Sequence, residues 1–310
     1  MCEDNQTEAV EVVLLGFREL HNFKILLFTL ILLTYMVIMT GNLLIVLVVS
    51  TSTHLNVPMF YFLKHLALAD VIFTTSIVPF MIHVILMGEK TMSVTACTVQ
   101  LHFICVSASV QCFLLAVMSF DRYMAIRKPL NYILIMTPRL CLLFVAVCWS
   151  LPLTLLSSEL FLIYQFKFCG RNYIDHFFCD FAPLAKLTIS DLSIYTVLDV
   201  CVSIALMCIP FAFIIITYIL IFFSFIKIPS VTGRKKFFST CSSHLSSVFT
   251  YYVTLIIIYM VPSEEESKNK FRSLLIMLVT PLMNPIIYSW RNKEIKGALK
   301  KLPMTVFLAC

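Results

Sequence analysis

The chain has 310 residues, 60% of them apolar and only 13% charged, and its mean hydropathy is +0.94. A soluble domain carries about 25% charged residues, so this composition excludes a water-soluble protein of this size and points to the membrane. The net charge of +6 reads as a sidedness signal rather than a nucleic-acid footprint, and no cysteine spacing resembles a zinc site.

The opening Met1-Cys2-Glu3-Asp4-Asn5 is acidic and polar, unlike the basic start of a cleavable secretory signal. The first span must then act as its own insertion signal. The sequon Asn5-Gln6-Thr7 is a glycosylation acceptor, which favours an exterior head over residues 1–24. Seven apolar stretches follow, at about 25–50, 58–87, 94–126, 139–159, 194–226, 237–261 and 271–290. Each meets the roughly 20 residues that a bilayer core requires of a helix. The expected fold is an all-α membrane protein, a seven-transmembrane helix bundle over 25–290, with a tail at 291–310. In that tail, Arg291 to Lys301 alternates basic and apolar residues, the pattern of a short amphipathic helix on the inner membrane surface.

An odd number of spans puts the termini on opposite sides. With the carboxyl end in the cytoplasm, 14 of the 23 lysines and arginines lie inside and nine outside, as the positive-inside rule requires. The longest connection, from about Glu159 to Ser193, is then extracellular and holds Cys169 and Cys179. Disulfides persist in that compartment. Cys97, at the outer start of the third span, is the natural partner for one of them. Cys105, Cys112, Cys141, Cys148, Cys201 and Cys208 lie inside apolar stretches and read as small buried hydrophobes.

Polar residues within spans are costly and tend to mark function. Asp70 is near the middle of span two. Pro58, Pro79, Pro210, Pro281 and Pro285 lie in or at the ends of spans, where each frees backbone groups that neighbours must satisfy. Pro210 and Pro285 are expected to create kinks. No repeat symmetry or paired intramembrane charge supports a transporter, and no catalytic constellation or cofactor motif supports an enzyme.

Phe120-Asp121-Arg122-Tyr123 closes span three, and Asn284-Pro285-Ile286-Ile287-Tyr288 lies in span seven. In a seven-span chain these resemble the rhodopsin-like (class A) G-protein-coupled receptors. Three more segments narrow the match: Leu55 to Leu63 at span two, Lys236-Phe237-Phe238-Ser239-Thr240-Cys241-Ser242-Ser243-His244-Leu245 at span six, and Pro281 to Asn292 in span seven. Together they resemble the vertebrate olfactory receptors of the tetrapod-type class, over essentially the whole chain.

The resemblance implies a plasma-membrane receptor that binds a small odorant and activates a heterotrimeric G protein of the stimulatory olfactory type to raise cAMP. In that scheme Asp121 holds Arg122 at rest, beside Tyr123. Activation frees Arg122 to face the G protein, with Tyr218 and Tyr288 swinging in beside it. Asn42, Asp70 and Asn284 resemble a polar cluster that holds sodium in many such receptors. Here Gln111 stands where olfactory receptors usually add a glutamate, so a purely structural Asp70 stays an equal alternative. His244 opens span six behind Arg234, Lys235 and Lys236, and reads as a structural histidine or a hydrogen-bond-sensitive latch.

The implied ligand pocket lies between the outer halves of spans three, five and six. Ile104, Cys105, Ala108 and Ser109 share one helical face by spacing, as do Tyr252, Leu255 and Tyr259, with Val202 and Leu206 opposite. Apolar walls with a few hydroxyls suit a small, mostly apolar molecule with one hydrogen-bonding group. Asp199, about one turn before Val202, either faces a wet vestibule or attracts an amine. The resemblance also implies the Cys97–Cys179 bridge. It leaves Cys169 without its usual partner, because Thr188-Ile189-Ser190 occupies that place, and Cys2 is the remaining candidate. Further departures are Ser119-Phe120, Arg127, Asn56 and Val253.

Overall fold

The computed structural model describes residues 11–16, 23–168, 173–226, 231–260 and 266–301. Asn5, Cys2 and Cys169 lie outside the described residues, as do the side chains of Tyr259, Arg234, Lys235 and Lys236.

Long helices dominate. They are α1 (Lys24–Thr51), α2 (Pro58–Met87), α3 (Val94–Arg127), a short α4 (Pro129–Ile135) and α5 (Pro138–Ile163). After a small α6 (Phe181–Ala185), a continuous fifth span is built from α7 (Ser193–Ser203), a π-helical stretch (Ile204–Cys208) and α8 (Ile209–Ile226). Then come α9 (Val231–Met260), α10 (Glu266–Arg291) and α11 (Lys293–Lys301). By length and composition, α1, α2, α3, α5 and the α7–α8 span are each apolar enough to cross a membrane, and α10 carries a further apolar stretch at Arg272–Tyr288.

Local chemistry sets the helix limits. Pro58 and Pro138 stand in the first turns of α2 and α5, where a missing N–H costs nothing. Ser93 caps α3 by accepting from the Ala96 amide at 3.1 Å, and Thr137 caps α5 by accepting from Leu140 at 3.3 Å. Gly88 stops α2 at φ 89°, a left-handed conformation open to a residue without Cβ. α5 runs four residues beyond the end expected at 159, so Glu159 lies within the helix rather than in the following connection.

A three-stranded sheet, absent from the sequence reading, covers one end of the bundle. Its order is β2 (Glu89–Ser93), β1 (Glu11–Leu15), β3 (Tyr173–Ile174). β1 runs antiparallel to β2, pairing Glu11 with Ser93 and Leu15 with Glu89, and parallel to β3. Alternation in β1 buries Val12 and Leu14 completely against the helix ends. The Cys97–Cys179 disulfide ties α3 to the segment after β3.

α3 is the central helix, packing against α2, α5, α8 and α9. The core divides into two clusters. One runs along α3 from Val106 to Met118 and includes Leu114, Tyr251, Tyr252 and Tyr288; the other lies beneath the sheet and includes Val12, Ile77, Phe177 and Cys179. Two cysteines depart from the expected burial. Cys112, Cys141 and Cys148 are enclosed, but Cys201 and Cys208 face outward, where a thiol on an apolar span meets hydrocarbon as readily as core.

α10 passes through both Pro281 and Pro285 without a break. Pro285 has no N–H, so the Pro281 carbonyl four residues earlier loses its helical partner. Asn42 of α1 supplies one: its Nδ2 donates to Pro281 O at 3.1 Å. Gly41 permits that approach, because a Cβ there would sit 3.0 Å from the Pro285 ring. In the fifth span, the wide π turn directly precedes Pro210, a common local answer to a helix that must adjust its ladder.

Candidate functional site

The end of the bundle opposite the sheet carries Asp121, Arg122 and Tyr123 on the last turns of α3. The Asp121 carboxylate is buried, and its Oδ1 accepts from the Tyr132 hydroxyl of α4 at 2.8 Å. Arg122 stands farther off, with Nε 3.9 Å from Asp121 Oδ2, an ionic contact too long for a hydrogen bond. That Nε is buried and donates to nothing. Burial and the adjacent Asp121 carboxylate push the Tyr132 phenol well above its ordinary range, so it stays a donor at any physiological pH. Tyr132 was not found from sequence; a tyrosine three residues after Pro129 carries no signal until α4 turns it back onto α3.

A second network joins three spans at the same end. His244 is fully buried. One ring nitrogen, Nδ1, lies 2.6 Å from the Tyr218 hydroxyl of α8, and the other, Nε2, lies 3.1 Å from Leu115 O of α3. The rings of Tyr218 and His244 are nearly parallel, at 11°. Thr217 donates to Ser119 at 3.0 Å. Ser119, one of the departures noted above, therefore has a partner on the fifth span.

Midway along the bundle, Asn284 donates from Nδ2 to Asp70 Oδ2 at 2.8 Å. Asp70 Oδ1 and Asn42 Oδ1 are buried without hydrogen-bond partners. Gln111 is buried on the facing helix, and Pro285 and Tyr288 are enclosed on α10. The structure thus brings Asn42, Asp70 and Asn284 together on α1, α2 and α10. Among the described residues no group of three or more histidine, cysteine or acidic side chains is arranged to hold a metal ion.

Toward the sheet, Val202, Leu206 and Tyr252 are buried in one cluster, with Cys105 and Leu255 partly buried against it. Ser109 is buried, Ala108 half-buried, and Ile104 belongs to the neighbouring cluster beneath the sheet. Tyr251 reaches across to α3: its hydroxyl donates to Ala108 O at 2.7 Å and lies 3.1 Å from Cys112 Sγ. Phe211 packs on Tyr252 with ring centres 4.2 Å apart. Above this region Gln100 bridges the disulfide to α2, donating to Ser76 O at 2.8 Å and accepting from the Cys179 amide at 3.1 Å.

A family model described as "Olfactory receptor" matches residues 31–305. The chain belongs to the olfactory receptor family. It is 40% identical over 304 residues to mouse olfactory receptor 1M1, covering 97% of each chain. To human olfactory receptor 11L1 it is 41% identical over 304 residues, covering 97% of this chain and 94% of the relative. Human olfactory receptor 6C2 is 40% identical over 296 residues, covering 95% of each. The protein is accordingly a multi-pass membrane receptor of the rhodopsin-like class and not an enzyme.

Proposed function

We propose that this olfactory receptor binds small volatile odorants between α3, the π-helical fifth span and α9, and activates a stimulatory olfactory-type G protein to raise cAMP. In this reading residues 1–24 form an extracellular head and 291–310 a cytoplasmic tail, with the sheet outside the plasma membrane and Arg122 inside. The excess of lysine and arginine assigned to the inner side supports that orientation.

One observation carries the coupling mechanism: buried Arg122 Nε lacks a hydrogen-bond partner at the end of a bundle whose neighbouring spans are joined by the exchangeable Tyr218–His244 bond. An unpaired buried donor costs about 1–3 kcal/mol, so an arrangement that satisfies it is favoured once a partner is offered. Ligand entry near Tyr252 and Leu206 shifts the fifth span and α9 relative to α3. Tyr218 leaves His244 and, with Tyr288, turns toward Arg122, while Asp121 stays with Tyr132. Asn42, Asp70 and Asn284 form the polar hinge, with Pro285 as the point where α10 bends.

The test is a cAMP reporter in cells challenged with a broad odorant panel. Wild-type receptor responds, Tyr252→Ala shifts or removes the response, and Arg122→Ala abolishes it at normal surface expression. Full signalling from the Arg122 variant would overturn the coupling assignment.

A further inference from the structure

Glu159 is the buried carboxylate that none of these networks uses. It sits on α5 one turn before the helix ends at Ile163, with 7% of its surface exposed, and its Oε1 is enclosed without a hydrogen-bond partner. A carboxylate removed from water unpaired costs several kcal/mol. Its charged neighbour makes matters worse: Asp199 of α7, half-buried, repels it.

The surroundings are acidic and aromatic. Tyr195, one turn before Asp199 on α7, is buried and lies within electrostatic reach of Glu159, Asp199, Asp180 and Cys105. Cys105 belongs to the α3 face of the pocket proposed above, and Asp180 follows directly on the disulfide. The Tyr195 ring stacks on Phe181 with centres 4.1 Å apart and meets Phe166 edge-on at 5.7 Å. Glu159 thus holds an unused buried oxygen on α5, and α7, which packs against α5, carries both Asp199 and the stacked Tyr195 ring. An ammonium group answers each feature: it donates to a free carboxylate oxygen, screens the repulsion between acids, and is attracted to aromatic faces. A metal ion fits less well, since the described acidic side chains are not gathered into a coordinating group.

We propose that the corner between α3, α5 and α7 is an ammonium subsite, in which Glu159 accepts the hydrogen bond and Asp199 supplies a second negative charge, so that the receptor takes small primary amines. The subsite deepens the pocket reading above and rests on it.

The experiment compares straight-chain primary amines of about four to eight carbons with the alcohols of equal length, at neutral pH where the amines are cationic. Wild-type, Glu159→Gln and Asp199→Asn receptors are read by cAMP in cells and by thermal stabilisation of the purified full chain in lipid nanodiscs. Amines should be at least about tenfold more potent than the matching alcohols on wild type, reflecting a charge-assisted hydrogen bond. Glu159→Gln should erase that advantage, leave alcohol responses unchanged and abolish stabilisation by amines; Asp199→Asn should weaken amines less. Glutamine keeps the shape and removes an unpaired buried charge, so the unliganded variant should melt no lower than wild type. Equal potency of amines and alcohols on wild type, an undiminished amine response in Glu159→Gln, or no stabilisation by any amine overturns the subsite. Responses to alcohols beside silent amines overturn the subsite alone. Stabilisation by amines without any cAMP response leaves the subsite standing and overturns the signalling reading.

Discussion

The two ends of the bundle are fastened by different kinds of bond. At the sheet end the main ties are a covalent bridge and a backbone ladder, Cys97–Cys179 and β1–β2, to which Lys270 of α10 adds a bond to Gly16 O and an ion pair with Asp175. At the Arg122 end, helices are joined by single side-chain contacts, Tyr132 to Asp121, Tyr218 to His244, and Thr217 to Ser119. A backbone ladder has one register, whereas a tyrosine hydroxyl can exchange acceptors by a change of rotamer. The difference suggests that one end is built to hold a shape and the other to change it, which is what relaying a signal along a bundle requires.

The sharpest way to break this contrast is at Arg122. Arg122→Ala should remove odorant-evoked cAMP entirely while surface labelling persists, because the change strikes the exchanging end and spares the fastened one. Next in size is the fastened end itself. The Cys97–Cys179 bridge closes a separation of 82 residues, and a constraint of that length is worth about 4 kcal/mol. Cys97→Ser should lower the melting midpoint of the purified receptor by about 10 °C and deplete it from the cell surface. A variant that melts and traffics normally would place the rigidity elsewhere.

A smaller effect should distinguish latch from scaffold. Tyr218→Phe removes the hydroxyl that meets His244 Nδ1, a loss of about 1.5 kcal/mol. Basal cAMP should rise several-fold while the melting midpoint falls by no more than about 4 °C. A drop in midpoint without a rise in basal signal would make the pair structural.

The smallest prediction concerns pH at the sheet end. Burial, and then the nearby Lys270 cation, lower the His176 pKa from 6.5 to about 4, with Asp175 opposing. The folded chain therefore resists a proton that the unfolded chain accepts. Above pH 6.5 the residue contributes no pH dependence; as pH falls from 6.5 toward 4 the unfolded state gains protons first and stability declines. At about pH 5.5 the deficit is about 1.4 kcal/mol, and His176→Gln should flatten that part of the melting profile. An unchanged slope would assign the pH dependence to other groups.

Much of the bundle was legible because a span needs little more than an uninterrupted apolar run. Pro58 and Val94 open spans two and three where the run lengths place them, and basic alternation after Trp290 becomes α11. The sheet was not legible: five residues at 11–15 pair with partners some 80 positions away, and no local pattern announces so distant a register. A carboxylate normally ends an apolar run, so by sequence Glu159 marks the edge of a loop. Only the continuation of α5 to Ile163 makes it a buried acid. The Asn42 contact to Pro281 O was likewise hidden, since it follows from a proline four residues farther along a different helix. For polar residues inside spans, such as Asp70 and His244, the structure supplies hydrogen-bond partners that lie on other helices.

The most direct test of the relay is a distance measured across the exchanging end. Spin labels placed by Leu134→Cys on α4 and Phe237→Cys on α9, in a receptor cleared of its exposed cysteines, report the separation of those elements in nanodiscs. Addition of an odorant that raises cAMP in cells should shift the distance distribution outward, and Tyr252→Ala should prevent the shift. A distribution that stays the same at saturating odorant, in the presence of G protein, would contradict the account.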